Sequence, residues 1–352
     1  MERRLDGNEA GSQSGQASVT LREACMQASL FLQENGIGEP RANAELLLMH
    51  MLGIERAALL RDWQEPFPEQ RRAEWDELVQ RKAAGEPVQY IIGEQWFYGL
   101  PFTVTPAVLI PRPETELLIE AVLEAADQLW PDAARSTAEA GGDAAASAAG
   151  SDAGAPAASW SGAGPTVLDV GTGSGAIGVT LAAQRPQWRV CASDLSPDAL
   201  AVARTNAECH GAAPRMAFVQ GDLLVPFIRR HEAGTDASGD DEPAAGLRID
   251  VLVSNPPYIP AGDIAGLQPE VRDHEPRLAL DGGADGLAPY RSIIAQLPLL
   301  AAMPRIVAFE LGLGQAEAVA DLLRQCGPWR EIRTIRDYAG IDRHVMAIEP
   351  IQ

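Results

Sequence analysis

Residues 167–182 read VLDVGTGSGAIGVTLA: an apolar run, three glycines at alternate positions (Gly171, Gly173 and Gly175), and then a segment of helical character. Ligands on α/β sheets lie beyond the carboxyl ends of the strands, where glycine lets backbone approach closely. The string alone leaves two cofactor classes open. Gly171-x-Gly173-x-x-Ala176 also satisfies the dinucleotide fingerprint, and Asp194, at the end of the next strand, lies where a ribose-binding acid is expected in either case.

Three features favour S-adenosyl-L-methionine. Asp169 puts a carboxylate just ahead of the glycines, suited to the ammonium of a methionine moiety and ill-suited to a pyrophosphate. In QGDLL, Asp222 and Leu223 end the third strand, where an acid can accept from an adenine amine and an apolar chain can cover its ring. The third feature is the order of motifs, because Asn255-Pro256-Pro257-Tyr258 follows at the end of the fourth strand.

Outward from the loop, apolar runs alternate with helical patterns. TVLDVG, WRVCASD, RMAFVQGD, IDVLVSN and RIVAFELG are strand candidates, with helices near 176–184, 197–209 and 315–326. Near-continuous apolar strands separated by helices imply a parallel sheet covered on both faces. The tail, REIRTIRDYAGIDRHVMAIEP, reads as two strands across a turn at Gly340. The expected fold class is therefore α/β: a Rossmann-like class I methyltransferase with a mostly parallel seven-stranded sheet closed by a C-terminal antiparallel hairpin.

Upstream the pattern changes. Residues 1–18 are polar and Gly/Ser-rich and are expected to be a disordered tail. A capping box, Thr20 with Glu23, starts a helix whose apolar face carries Leu21, Ala24, Cys25, Ala28, Phe31 and Leu32. A second helix has Pro40 in its first turn and stops at Gly53; a third covers about 68–84 with Trp75, Leu78 and Val79 inward. Residues 19–86 thus form a small helical domain, 87–106 a hairpin linker broken by Gly93 and Gly99, and 107–352 the methyltransferase domain. Low-complexity stretches at about 133–164 and 229–246 read as flexible insertions.

Composition narrows the function classes. The balance of 28 basic against 49 acidic residues in 352, a formal charge of −21, opposes non-specific nucleic-acid binding. Cys25, Cys191, Cys209 and Cys326 show no C-x-x-C spacing, and the five histidines show no metal-ligand spacing, so no zinc site or disulfide framework is expected. The N-terminus lacks the apolar core of a signal peptide, and LLLMHMLGI from Leu46 is too short to span a bilayer. A cytoplasmic monomer, with no membrane or direct nucleic-acid partner, is the expectation.

The motif in VLVSNPPYIP, residues 251–260, carries the chemistry. Pro256 and Pro257 cannot continue a ladder, and each holds the residue before it extended. The side-chain oxygen of Asn255 and the carbonyl of Pro256 then make two preset acceptors, with Tyr258 as a flat face beside them. A planar –NH2 group has two donor hydrogens for such a pair. An amide nitrogen is a poor nucleophile, and the acceptors stabilise the positive charge that develops on it in the transition state. No strong general base is needed, since the methylated nitrogen sheds its proton readily. The blander reading is that the prolines merely end a strand, and the motif does not choose among adenine N6, guanine N2 and glutamine amides.

Further strings narrow the choice: GEPVQYIIG, WFYGLPFTV, VLIPRPETE, LDVGTGSGAIG, SNPPYI, EPRLALDGGADGL, FELGLGQ and DYAGIDR, in this order over about residues 20–350. The chain resembles the peptide chain release factor N5-glutamine methyltransferases. That resemblance implies methylation of the glutamine in the Gly-Gly-Gln motif of class 1 release factors, with the N-terminal helical domain helping to recognise that protein. It implies that Gly171, Thr172, Gly173, Ser174, Gly175, Asp194, Leu223 and Asn255 contact S-adenosylmethionine. It also implies that Asn255, Pro256, Pro257 and Tyr258 hold the glutamine amide, with residues 111–116 (PRPETE) at the mouth of the site. Leu223 departs from the family's frequent aromatic residue, and the insertion after Pro131 interrupts the link into the first strand of the sheet. Two other classes of function stand beside this one: methylation of an exocyclic amine in DNA or RNA, and a cofactor-binding regulatory module without turnover. Glu275, Asp281 and Asp285 form an acidic cluster read as loop-stabilising at least as readily as catalytic.

Overall fold

The computed structural model of the protein describes residues 19–131, 164–228 and 245–350. The expected tail and nearly all of both expected insertions lie outside these described residues. The chain divides into two compact units between Ile92 and Gly93.

The first unit is helical: α1 (Leu21–Glu34), α2 (Pro40–Leu52), α3 (Arg56–Arg61), α4 (Arg72–Ala83) and α5 (Val88–Ile92). The Thr20 hydroxyl accepts from the Glu23 amide, and the Glu23 carboxylate accepts from the Thr20 amide at 2.8 Å, so the capping box is closed at both ends. Leu21, Ala24, Cys25, Ala28 and Leu32 pack with Leu47, Leu48 and Trp75. Phe31, expected on that stripe, is exposed. The start of the expected hairpin linker needs correction. Val88 and Ile91, one helical turn apart, bury together in the core of the first unit, so the chain completes α5 before it extends.

The hairpin is β1 (Glu94–Phe97) and β2 (Leu100–Thr103), and it belongs to the second unit. Its two-residue turn, Tyr98-Gly99, has φ 52° and 72°, the left-handed pair that matches strand twist. Asn206, fully buried, ties the hairpin to the glycine loop: its Oδ1 accepts from the Thr103 amide at 2.8 Å, and its Nδ2 donates to the carbonyls of Thr103 and Ser174.

The remaining strands are β3 (Thr166–Val170), β4 (Arg189–Asp194), β5 (Met216–Gln220), β6 (Val251–Ser254), β7 (Ile306–Glu310), β8 (Trp329–Arg336) and β9 (Asp342–Pro350). They form one sheet in the order β5-β4-β3-β6-β7-β9-β8, with β9 antiparallel to both its neighbours. The helices are α6 (Glu114–Leu129), α7 (Ala176–Gln184), α8 (Pro197–Cys209), α9 (Pro269–His274), α10 (Ala288–Gln296) and α11 (Ala316–Cys326). Side-chain alternation builds both cores. Val167, Val251, Val253, Ile306 and Ala308 join the α6 and α7 layer, whereas Leu168, Val170, Leu252, Val307 and Phe309 join α10 and α11. Both faces are covered, which is why these strands are apolar almost throughout. Strand order reverses between β3 and β6, and a ligand cleft is expected at the carboxyl ends there.

Candidate active site

A cavity of about 710 Å³ opens at those carboxyl ends, a size ordinary for a small-molecule site. The loop after β3 supplies Gly171, Thr172, Gly173 and Ser174 to its wall, with Gly171 and Gly173 at φ 70° and 55°. Gly175 lies off the wall. It starts α7 at φ 83°, and a Cβ there would meet Val179 and Ala203 at 3.0–3.2 Å, so its glycine serves packing against α8.

Asp194, at the end of β4, faces the cavity with both carboxylate oxygens already oriented. Oδ1 accepts from the Ser196 amide and Oδ2 from the Gly173 amide, each at 2.9 Å. Burial raises its pKa, and these backbone donors oppose the rise. Asp222 and Leu223 line the adjoining wall. Leu223 holds φ 49°, a strained region for a bulky side chain, and the amide that follows it, of Leu224, donates to Gln296 Oε1 at 2.9 Å.

Asp169 behaves differently from its expected role. It is fully buried, off the cavity wall, and Oδ2 accepts from the Thr172 hydroxyl at 2.6 Å and the Gly178 amide at 2.9 Å. Oδ1 has no partner among the described residues, and burial pushes the carboxyl up to about 6. The register explains the placement: Asp169 shares a face with Val167, toward α7, where glycine at 178 leaves room for the carboxylate.

Across the cavity, Asn255 and Pro257 line the wall at the end of β6. Asn255 Nδ2 lies 3.5 Å from the Thr115 hydroxyl, which donates to Glu310 Oε2 at 2.6 Å. Pro256 is buried and off the cavity wall, between the two residues that line it, and its carbonyl accepts no hydrogen bond from the described residues. The Pro257 carbonyl likewise accepts none, whereas that of Tyr258 accepts from Gln315 Nε2 at 2.9 Å and that of Ile259 from the Gly282 amide at 2.8 Å. The Tyr258 ring is not on the cavity wall; it packs beside Gly312 on the β7 side, and burial pushes its hydroxyl up to about 12. Glu310, Gln296 and Gln315 are absent from the sequence-based site, and Thr115 entered it only within residues 111–116. Glu310 and Gln315 had a signal as members of the FELGLGQ string, and Gln296 had none.

Arg112, Arg277 and Asp281 line the cavity, and ion pairs brace the loops around them. Arg112 holds Glu275, Arg277 holds Asp281, and Arg291 holds Asp285, whose carboxyl it draws down to about 2. The acidic cluster is thus committed to loop structure. Among the described residues no cluster of His, Cys, Asp or Glu could hold a metal, and no helix is long and apolar enough to cross a membrane.

The residues present fit S-adenosylmethionine. The glycine-loop side of the cavity carries Asp194, Asp198 and Asp222 and no Lys or Arg, an acceptor set favourable to ribose hydroxyls and a cation and adverse to a pyrophosphate. Leu223, Ile177 and Pro289 add apolar wall for a purine.

Comparison with known proteins agrees with this geometry. The model of the PrmC N-terminal domain matches residues 23–93, and a methyltransferase domain model matches residues 161–227. The release factor glutamine methyltransferase of Bacillus cereus is 38% identical over 329 residues, covering 94% of this chain and 99% of that protein. The one from Moorella thermoacetica is 39% identical, covering 94% and 98%, and the one from Chlorobaculum tepidum is 40% identical, covering 89% and 92%. Sharing more than a third of its residues with these proteins over nearly their full length, the chain belongs to the family of release factor glutamine methyltransferases.

Proposed function

We propose that this chain transfers a methyl group from S-adenosyl-L-methionine to the N5 amide nitrogen of the glutamine in the Gly-Gly-Gln motif of class 1 release factors, supporting translation termination. The observation that carries the proposal is the corner at Asn255: a residue on the cavity wall, followed by the Pro256 and Pro257 carbonyls, which accept no hydrogen bond from the described residues.

Gly171, Thr172, Gly173, Ser174, Asp194, Asp222 and Leu223 would hold the cofactor, and Gly175 would support their loop from behind. Bound there, S-adenosylmethionine supplies a methyl carbon on sulfonium, open to displacement. Asn255 Oδ1 and the Pro256 carbonyl each accept one hydrogen of the glutamine –NH2 and so orient its nitrogen. As that nitrogen gains positive charge both bonds strengthen, which lowers the barrier rather than merely tightening binding. The surplus proton then leaves to water. Tyr258 contributes through its carbonyl and its packing, with Pro257 closing the wall. The helical unit contributes to recognition of the release factor, and the enzyme acts as a monomer on protein, not on nucleic acid; the charge of −21 supports that choice.

Labelled methyl transfer to a purified class 1 release factor, mapped by mass spectrometry, tests this. Label is expected on the motif glutamine and is expected to vanish when that glutamine becomes alanine. Transfer that survives the substitution, or that goes instead to bare nucleic acid, overturns the proposal.

A further inference from the structure

A carboxamide is nearly the same shape either way round, so packing cannot decide which end of Asn255 faces the cavity. Only its hydrogen-bond partner can. The partner is Thr115, buried at the start of α6, whose hydroxyl can donate or accept. Its ambiguity is removed one step further back. Glu310, 3% exposed at the end of β7, presents a carboxylate to the hydroxyl at 2.6 Å, the length of a charge-assisted O–H···O bond. A carboxylate offers lone pairs only, so it takes the hydroxyl proton. The Thr115 oxygen is then left as an acceptor, and only Nδ2 of Asn255 can answer it.

We infer that Thr115 and Glu310 are positioning residues that fix the polarity of the Asn255 carboxamide, turning Oδ1 toward the methyl-acceptor amide. The inference rests on the reading of Asn255 as an acceptor for the glutamine –NH2. Reversed, Asn255 would face that group donor to donor. Glu310 is itself anchored: its backbone carbonyl accepts from the Tyr290 hydroxyl at 2.7 Å, and it pairs across the sheet with His344, whose Nε2 lies 3.8 Å from the same Oε2. The three residues meet because α6 packs on the face of the sheet beside β7, and Thr115 and Asn255 both line the cavity.

The variants Thr115→Val, Thr115→Ser and Glu310→Gln test this, each alone and combined with Asn255→Ala. Thr115→Val keeps the shape and loses the hydroxyl, and kcat is expected to fall at least about tenfold, the loss of the acceptor that sets the carboxamide's polarity. Thr115→Ser keeps the hydroxyl and is expected to stay within about threefold of the unaltered protein. Glu310→Gln can donate to the Thr115 oxygen and free its proton for Oδ1, so it is expected to fall as far as Thr115→Val. If both act through Asn255, neither lowers kcat further in the Asn255→Ala background. Full additivity there, or a Thr115→Val kcat within about twofold of normal, overturns the inference.

A second readout needs no substrate. In protein labelled with 15N-asparagine, the side-chain NH2 signals that vanish in Asn255→Ala are expected to shift in Thr115→Val and in Glu310→Gln, and to hold in Thr115→Ser. Signals that do not move in either of the first two overturn the inference even if one variant fails to fold. Absence of methyl transfer by the unaltered protein would instead overturn the substrate reading, with the NMR result still deciding the orientation.

Discussion

Asp194 and Asn255 stand on opposite walls of one cavity and are held in opposite ways. Asp194 takes its donors from the same strand–loop–helix neighbourhood, among them the amides of Ser196 and Gly173. Among the described residues the Asn255 side chain has one partner, Thr115, 140 residues earlier, which depends in turn on Glu310, 195 residues beyond it. The cofactor side is set once β3, β4 and their turns form. The acceptor side exists only after α6, β6 and β7 have packed, so side-chain chemistry rather than backbone sets its polarity.

The largest expected effect is at Asn255. On the proposed reading Asn255→Ala removes one of two acceptors and the orientation it imposes, and kcat is expected to fall roughly a hundredfold or more. Cofactor affinity is expected to change less than about fivefold, because Asp194 and the glycine loop remain. Single-turnover transfer and calorimetric titration separate the two quantities. Loss of both together would erase the contrast between the walls.

Asp169 sharpens it from beneath the cofactor side. In an unfolded chain its carboxyl titrates near 4, whereas in the folded protein burial lifts it to about 6. Between those values the folded state holds the extra proton, so stability falls as pH rises through the window and stays low above it. Asp169→Asn cannot titrate there, and its amide oxygen can still accept from Thr172 and Gly178. It is expected to be more stable than the unaltered protein above pH 6, by on the order of 2–3 kcal/mol, with the difference closing toward pH 4. Thermal unfolding of both across that range checks the slope. A difference independent of pH would show that the carboxylate is compensated.

How much of this could be read from the chain follows the same division. The parallel strands were legible because two covered faces demand near-continuous apolar runs, and the capping box at Thr20 because its parts lie three residues apart. Asp194 was legible as an acid at a fixed distance from a glycine loop. The helix at Val88–Ile92 was not, since its β-branched composition favours a strand and only tertiary burial of Val88 and Ile91 overrides it. Nor was the burial of Asp169, because a carboxylate at a strand end faces either the cleft or the layer beneath, and register decides. Thr115 and Glu310 lie in the strings PRPETE and FELGLGQ, but what they do is legible only in the contact between them.

Asp194→Ala tests the locally built wall. It is expected to weaken cofactor binding by roughly ten- to fiftyfold, the loss of hydrogen bonds to a charged acceptor, while kcat at saturating cofactor stays within a few-fold. Equilibrium titration with S-adenosylmethionine and saturation kinetics give the two numbers. A fall in kcat with unchanged affinity would move Asp194 to the acceptor side.

The smallest effect belongs to Gln315, and there the sign is the sharper measurement. Its Nε2 donates to the carbonyls of Tyr258 and Gly286, at 2.9 and 3.4 Å, and its Oε1 accepts from the Gly312 amide at 2.9 Å. It thus pins the far end of the Asn255–Tyr258 corner. Gln315→Ala leaves these groups without that partner and is expected to lower kcat about fivefold, a loss near 1 kcal/mol. Gln315→Glu is nearly isosteric yet places a carboxylate against two carbonyl oxygens, so it is expected to be the worse of the two at neutral pH. Acidification toward pH 5 is expected to narrow that gap, because a protonated carboxyl can donate where the amide did. If Gln315→Glu outperforms Gln315→Ala at neutral pH, the corner does not depend on that donated bond, and its stiffness comes from the prolines alone.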